Sequence, residues 1–256
     1  MTEQAAVLIE RRGRVLVVTL NRPEQRNAVN LAVAEGIAAA LDELDTGADL
    51  SVGVLTGAGR GFCAGMDLKA FVTGERPWAG NRGFAGIVQR PPAKPLIAAI
   101  EGFAVAGGLE IALACDLIVA ARGAKLGVPE VKRSLVAAGG ALLRLPRALP
   151  RGVAMELALT GDPISAERGY ELGLVNRLTD PGAALEQALE LADTVAANGP
   201  LALAATKRIL TDGPGWPEAE FWQRQAEITE PVFGSEDATE GATAFAQKRP
   251  PVWKGR

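Results

Sequence analysis

The stretch PLIAAIEGFAVAGGLEIALACDLIVA, residues 95–120, decides how this chain folds. Its apolar runs and its small-residue turn predict a strand, a turn, a helix and a second buried strand. These elements are predicted, in order, at Leu96 to Ile100, Ala106 to Gly108, Leu109 to Ala114 and Leu117 to Ala120. Glu110 then falls in the first turn of a buried helix, where the helix dipole stabilises its charge and the loss of water opposes it. Because its neighbours are apolar, a functional role for Glu110 is favoured over a solvated surface role.

The composition is that of a globular protein. Of the 256 residues, 48% are apolar and 22% are charged, which fits one large domain or a domain with an appendage. A net charge of −3 argues against general nucleic-acid binding, and no apolar run is long enough to span a bilayer. Met1 to Gln4 leads into a strand rather than a signal peptide, so we expect a cytoplasmic protein.

The chain contains no histidine. This excludes His-based catalytic triads, His general bases and most zinc or iron sites, so no metal site is expected. Cys63 and Cys115 lie in apolar contexts without metal-ligand spacing and are interpreted as reduced core residues. Catalysis must therefore come from carboxylates, backbone amides or the few Ser, Tyr, Cys and Lys side chains.

A second segment repeats the plan of the central stretch. A predicted strand, Ser51 to Thr56, is followed by GAGRGFCAGMDLKAF, residues 57–71, whose glycines lead into a helix starting near Met66. The chain opens with a predicted hairpin at 5–20, a polar loop at 21–30 and a helix at 31–44. Repeated strand-and-helix units predict that two helix N-termini lie side by side, and a hole with two backbone donors follows.

The second half of the chain changes character. Residues 73–92, rich in Gly, Pro and Arg, are expected to cover a site as a mobile flap. After Pro181 there is no strand signal, and the helical periodicity predicts four helices, at residues 183–197, 200–210, 217–229 and 236–247. We therefore predict a catalytic core at residues 1–195 and a helical C-terminal region at residues 196–256.

Glu130, within KLGVPEV at residues 125–131, is the second candidate acid. Alone it fits an exposed loop position equally well, but a carboxylate mechanism needs a second acid or base and no histidine is present. A dinucleotide site is rejected because Phe62 stands where a third glycine is required. Core packing is favoured over nucleophilic chemistry for Cys63, and Asp67 and Asp116 are interpreted as structural acids.

Six segments in order resemble the enoyl-CoA hydratase/isomerase (crotonase) superfamily, with enoyl-CoA hydratases as the most similar members. They are NRPEQRNAVN (21–30), GRGFCAGMDLKAF (59–71), GFAVAGGLEIALACDLIVAA (102–121), GVPEV (127–131), LTGDPISAERGYELGLVNRL (159–178) and FAQKRPPVWKGR (245–256). The resemblance implies an α/β fold, a crotonase-like spiral of ββα units with a helical C-terminal trimerisation region. It also implies a homotrimer or a dimer of trimers.

The resemblance assigns roles by position. The N–H groups of Met66 and Gly107 would form an oxyanion hole for a thioester carbonyl, and Glu110 and Glu130 would be the paired base and acid of a hydratase. Residues implied along the coenzyme A path are Arg26, Ala28, Ala64, Asp67 and Leu68, with Phe245 and Lys248 reaching coenzyme A on a neighbouring subunit.

The activity implied is addition of water across the α,β double bond of an enoyl-CoA thioester, with coenzyme A as part of the substrate and no separate cofactor. Alternatives within the fold are isomerase, dehydratase, decarboxylase or thioester hydrolase activity, and a non-catalytic acyl-CoA-binding paralogue. Two departures from the family pattern concern the substrate: Ala106 replaces a glycine, and Lys132 and Arg133 follow Glu130 close to the expected acyl pocket.

Overall fold

The computed structural model describes residues 5–256, so the expectation for Met1 to Gln4 lies outside the described residues. The strands are β1 (Val7–Arg12), β2 (Val15–Leu20), β3 (Val52–Gly57), β4 (Trp78–Ala79), β5 (Gly83–Phe84), β6 (Leu96–Ile100), β7 (Phe103–Val105), β8 (Leu117–Ala121), β9 (Lys125–Gly127), β10 (Ile164–Ser165) and β11 (Arg177–Thr179). The α-helices are α1 (Leu31–Thr46), α2 (Leu68–Val72), α3 (Gly107–Leu113), α4 (Ala141–Ala148), α5 (Arg151–Thr160), α6 (Ala166–Glu171), α7 (Ala184–Ala196), α8 (Pro200–Asp212), α9 (Glu218–Phe233) and α10 (Glu236–Gln247).

The main sheet has six strands in the order β1-β2-β3-β6-β8-β11. The predicted hairpin β1-β2 is antiparallel and turns at Gly13, which has a φ of +57°. The other strands run parallel to β2 and to one another. Parallel neighbours need crossovers, and the crossovers supply the repeated units.

A second layer of short extended segments lies beside the main sheet, and each repeated unit contributes one segment to it. Strand β7 pairs in parallel with β9, and isolated parallel bridges join Cys63 to Ala104 and Val29 to Met66. Each unit thus contributes a long strand, a short extended segment and a helix. This confirms the spiral of ββα units that the family resemblance implies.

Both faces of the main sheet are covered. On β2, Leu16, Val18 and Leu20 point into the larger core with α1, whereas Val15 and Val17 point to the opposite face. That face packs against α7 through small residues, namely Ala188, Ala192 and Ala196. The alternation has the period of two expected of a strand that is buried on both sides.

The C-terminal region is helical, with the predicted bounds met to within about four residues. Helices α8 and α9 contain no fully buried residue in the isolated chain. The tail is held on this chain: the Trp253 indole N–H donates to the Ala197 carbonyl, and the Asp237 carboxylate accepts from the N–H groups of Lys254 and Gly255. None of the described helices combines the length and the hydropathy that a membrane crossing requires.

The structure defines the start of one helix, and one expectation is wrong. Helix α2 begins at Leu68 rather than near Met66, because the Asp67 side chain caps it by accepting from the N–H groups of Lys69 and Ala70. The mobile flap expected at residues 73–92 is wrong for residues 82–88, which are buried in the core. Arg82, 3% exposed, ties this part to α1 through an ion pair with Asp42.

Candidate active site

A cavity of about 370 Å³ brings most of the predicted site residues together. The predicted residues that line it are Arg26, Ala64, Met66, Leu68, Gly107, Glu110 and Glu130. They come from four separate parts of the chain, and successive turns of the spiral bring them to one place. Its volume is in the range of a small-molecule site.

Two residues that line this cavity, Met66 and Gly107, have backbone N–H groups without an acceptor among the described residues. Within residues 5–256, the N–H groups of Met66 and Gly107 donate to no backbone or side-chain oxygen. The two segments are in close contact, since a Cβ on Gly65 would lie 2.8 Å from the Gly107 nitrogen. Gly65 has a φ of +91° and therefore permits this approach. Free N–H groups in a partly buried site can stabilise an oxyanion.

Ala106 precedes this turn in an unusual conformation. Its φ is +52° and its ψ is −132°, in a region that favours glycine. Its N–H donates to the Gly127 carbonyl, which ties the turn to β9. The replacement of glycine by alanine noted in the sequence therefore introduces backbone strain without blocking the turn.

Glu110 is 4% exposed and lies in the first turn of α3, as predicted. Its Oε1 accepts from the Ala141 N–H at 3.1 Å, at the start of α4. Burial raises the pKa of Glu110, although the N–H groups of Ala141 and Gly139 and the charge of Arg144 partly oppose this. The carboxylate is thus desolvated but held at a helix N-terminus, where its ionised form is stabilised.

Glu130 lies in the short helical turn Pro129–Arg133 that follows β9. Its Oε2 is buried and has no hydrogen-bond partner among the described residues. Burial raises the pKa of Glu130, its own backbone N–H and Arg133 oppose the increase, and the charge of Glu110 adds to it. The unpartnered oxygen and the neighbouring carboxylate both favour the protonated form of Glu130.

The N-terminal loop is positioned by the buried Asn27. Its Nδ2 donates to the carbonyls of Ala58 and Gly61, and its Oδ1 accepts from the Arg22 N–H. Asn27 and Arg26 both adopt the left-handed conformation, with φ of +54° and +53°. The loop thereby presents Arg26 at the cavity.

Four of the predicted residues do not line the cavity. The Ala28 carbonyl accepts from Arg22, and the Asp67 carboxylate caps α2 and pairs with Arg22 at 2.9 Å. These contacts agree with the structural interpretation of Asp67. Burial raises the pKa of the Asp67 carboxyl group, but the hydrogen bonds from Arg22 and from the backbone outweigh it, and the net effect is a lowered pKa. Phe245 and Lys248 lie on and just after α10, and the Phe245 side chain is 88% exposed.

The sequence did not single out several residues of the cavity wall. Trp78 and Phe84 pack edge to face with ring centroids 5.6 Å apart, and both line the cavity. Two aromatic residues in the segment interpreted as a flap were an available signal. Of the two unexpected cations, Arg133 lines the cavity, whereas Lys132 forms an ion pair with Asp162.

The remaining candidates are structural. Cys63 is buried and donates to the Asn27 carbonyl, and burial raises the pKa of its thiol to about 12. Asp116 accepts from the Leu96 N–H and from the Lys207 ammonium, which joins β6 to α8. Residues 5–256 contain no group of three or more His, Cys, Asp or Glu side chains arranged to hold a metal ion.

Comparisons with known proteins show the family and the fold of this chain. The model of the enoyl-CoA hydratase/isomerase family matches residues 10–256. The enoyl-CoA hydratase EchA19 of Mycobacterium tuberculosis is 44% identical, over 97% of this chain and 96% of that protein. A carnitinyl-CoA dehydratase of Salmonella typhi is 40% identical, over 97% of this chain and 98% of that protein.

The crystal structure of enoyl-CoA hydratase EchA1 from Mycobacterium marinum has a TM-score of 0.97 to this chain. The two are 59% identical, over 99% of this chain and 100% of the other. The family match spans nearly the whole chain and the fold agrees throughout. The chain therefore belongs to the enoyl-CoA hydratase/isomerase (crotonase) family and is an enzyme with the crotonase fold.

Proposed function

We propose that this enzyme adds water across the α,β double bond of an enoyl-CoA thioester. The observation that carries the proposal is that Glu110 and Glu130 open into the same cavity as the unpaired N–H groups of Met66 and Gly107. Hydration needs both features, because negative charge develops on the thioester oxygen while one carboxylate takes a proton from the attacking water and the other gives a proton to Cα.

The two N–H groups bind the thioester carbonyl oxygen. When the oxygen of water bonds to Cβ, the electrons of the α,β double bond move toward the thioester group. Negative charge then develops on the carbonyl oxygen as an enolate. Loss of one such donor typically costs about 3 kcal/mol of transition-state stabilisation. The Gly107 N–H also lies at the N-terminus of α3, whose dipole favours the same charge.

Glu110 acts as the base and Glu130 as the acid. The backbone N–H groups at the start of α4 support an ionised Glu110, which takes a proton from water. Glu130, with an unpartnered buried oxygen beside that charge, is protonated and supplies a proton to Cα. Exchange with solvent then returns both groups to their starting forms, as expected for a coupled pair.

The coenzyme A part of the substrate lies along Arg26, Ala64 and Leu68. Ala28 and Asp67 help to form the same path through their contacts with Arg22. The reaction uses no separate cofactor. Phe245 and Lys248 reach coenzyme A bound to a neighbouring subunit, where the ammonium of Lys248 meets phosphate. We infer a homotrimer or a dimer of trimers, located in the cytoplasm. The exposed apolar side chains Leu210, Trp222 and Phe233 support this assembly, because a monomer would leave them in water.

The second candidate is dehydration of a hydroxyacyl-CoA, as in the carnitinyl-CoA dehydratases that are 40% identical. Hydration and dehydration are one reaction in two directions, so the same catalytic groups serve both. The acyl groups differ, however, because a carnitinyl group carries a quaternary ammonium. Arg133 in the cavity wall would repel that cation, and this favours uncharged enoyl substrates.

The test is a screen of enoyl-CoA esters for loss of the conjugated-thioester absorbance, followed by product identification. Hydration gives a 3-hydroxyacyl-CoA, isomerisation moves the double bond, and hydrolysis releases a free thiol. A non-catalytic paralogue would bind the esters without turnover. A crotonobetainyl-CoA ester turned over faster than every uncharged ester would select the second candidate.

A further inference from the structure

Arg144 is a half-buried charge beside the cavity that the proposed mechanism does not use. It lies on α4 and does not line the cavity, and no carboxylate of the described residues forms an ion pair with it. Its Nη2 donates to the Val88 carbonyl at 2.6 Å. Its Nη1 lies over Gly140, since a Cβ there would be 2.2 Å away. A half-buried guanidinium loses hydration, and the hydrogen bond to Val88 replaces only part of it. We therefore ask what stabilising or functional role this cation has.

The position of Arg144 links it to Glu110. The Ala141 N–H that binds the Glu110 carboxylate belongs to the same first turn of α4, and the Arg144 N–H closes that turn on the Gly140 carbonyl. Burial lowers the pKa of Arg144, and the charge of Glu110 from α3 raises it. The Arg144 charge in turn lowers the pKa of Glu110.

The position of Arg144 also links it to the cavity wall. Val88, whose carbonyl accepts from Arg144, donates its own N–H to the Phe84 carbonyl. Phe84 lines the cavity and lies against Gly107, since a Cβ there would be 2.6 Å from the Phe84 ring. One side chain therefore contacts both the wall segment and the first turn of α4, which binds the base.

We propose that Arg144 is a positioning residue of the reaction: its guanidinium lies against the first turn of α4, which binds the Glu110 carboxylate, and its hydrogen bond to Val88 holds the Phe84 wall. This inference rests on the proposed acid–base role of Glu110. Three other titratable or charged groups act on this pair. Glu130, in the turn after β9, acts on Glu110. Arg147, farther along α4, and the Cys115 thiol, after α3, act on Arg144.

The test compares Arg144→Gln with Arg144→Lys, and uses Arg147→Gln as the matched control, because Arg147 is an exposed cation on the same helix. A base must be ionised, so kcat/KM falls as the pH drops through its pKa. Removal of a nearby positive charge makes ionisation of Glu110 harder, so we expect the acid limb of Arg144→Gln to move to higher pH than that of the wild type. Arg144→Lys should keep the limb close to that of the wild type, and Arg147→Gln should leave it unchanged.

A limb that stays in place in folded Arg144→Gln would overturn the inference. Equal movement in Arg144→Lys or Arg147→Gln would also overturn it, because the effect would then not depend on a charge at this position. Should Arg144→Gln fail to fold, Arg144→Met supplies an uncharged side chain of similar length for the same comparison.

A direct titration separates this inference from the proposed function. Carbon NMR of the Glu110 carboxyl group, assigned with Glu110→Gln, reports its pKa in the absence of substrate. If no enoyl-CoA ester is hydrated, the proposed function fails and the NMR comparison still decides the role of Arg144. If hydration is observed but the Glu110 pKa is the same in wild type and Arg144→Gln, the inference fails and the function stands.

Discussion

Gly139→Ala should disable the enzyme without removing any catalytic group. Gly139 is buried beside Glu110, and a Cβ at this position would lie 2.4 Å from Glu110 Oε2 and 2.8 Å from its Cδ. Gly139 does not have a positive φ, so alanine is compatible with the backbone, and the three atoms nearest to the added Cβ all belong to the Glu110 carboxylate. The perturbation therefore acts on the position of the base.

The magnitude follows from the distances. Ordinary contact begins at 3.4 Å, so the carboxylate must move by about 1 Å and give up the 3.1 Å hydrogen bond from the Ala141 N–H. A displacement of about 1 Å in a catalytic group can cost about 100-fold in rate, which is close to 2.7 kcal/mol. We expect kcat to fall by roughly that factor, with a smaller change in KM.

The assay is hydration of the best enoyl-CoA ester, with circular dichroism and thermal unfolding as checks on the fold. Gly152→Ala is the matched control, because Gly152 lies in α5 with no atom within 4 Å of its added Cβ. The control should keep its activity and gain up to about 1 kcal/mol from helix propensity. A folded Gly139→Ala enzyme with near-native kcat would refute the placement of Glu110 at the reaction centre.

The other predictions concern the carboxylates, the strained turn and the assembly. Glu110→Gln and Glu130→Gln should each lower kcat by at least about 100-fold with the fold intact, and near-native turnover in either variant would remove that residue from the mechanism. Burial raises the pKa of Glu110 in the folded state, so ionisation of Glu110 at neutral pH lowers the free energy of unfolding. Glu110→Gln should therefore be more stable than wild type at neutral pH. Urea unfolding should show that this gain disappears below about pH 4, where the carboxyl group is protonated in both states. Ala106→Gly should relieve the positive φ and stabilise the fold by about 1 kcal/mol, and a lower urea midpoint would contradict the strain. Phe245→Ala and Lys248→Gln should each raise KM about tenfold at unchanged kcat, in an enzyme that light scattering reports as a trimer or hexamer; a fully active monomer would contradict the shared site.

Much of the fold could be predicted from local patterns. The apolar runs of β2, β3 and β6 and the periodicity of α7 to α10 each depend on residues that are close together in the sequence. The strands β7, β10 and β11 have three residues or fewer, and such segments carry no periodic signal. They form because the second layer of the spiral and the edge of the sheet supply partners from distant parts of the chain.

The sequence by itself also determined the chemistry available to the site. The chain has no histidine, but it has a carboxylate in an apolar helix and two glycine-rich turns. Carboxylates and backbone N–H groups are therefore the groups available for catalysis. Only the tertiary structure decided how these parts meet. Glu110 accepts from Ala141, 31 positions away, and Asn27 joins its loop to Gly61, 34 positions away. The wall formed by Phe84 and the guanidinium of Arg144 also depend on packing between separate units, because burial and desolvation arise only when those units come together.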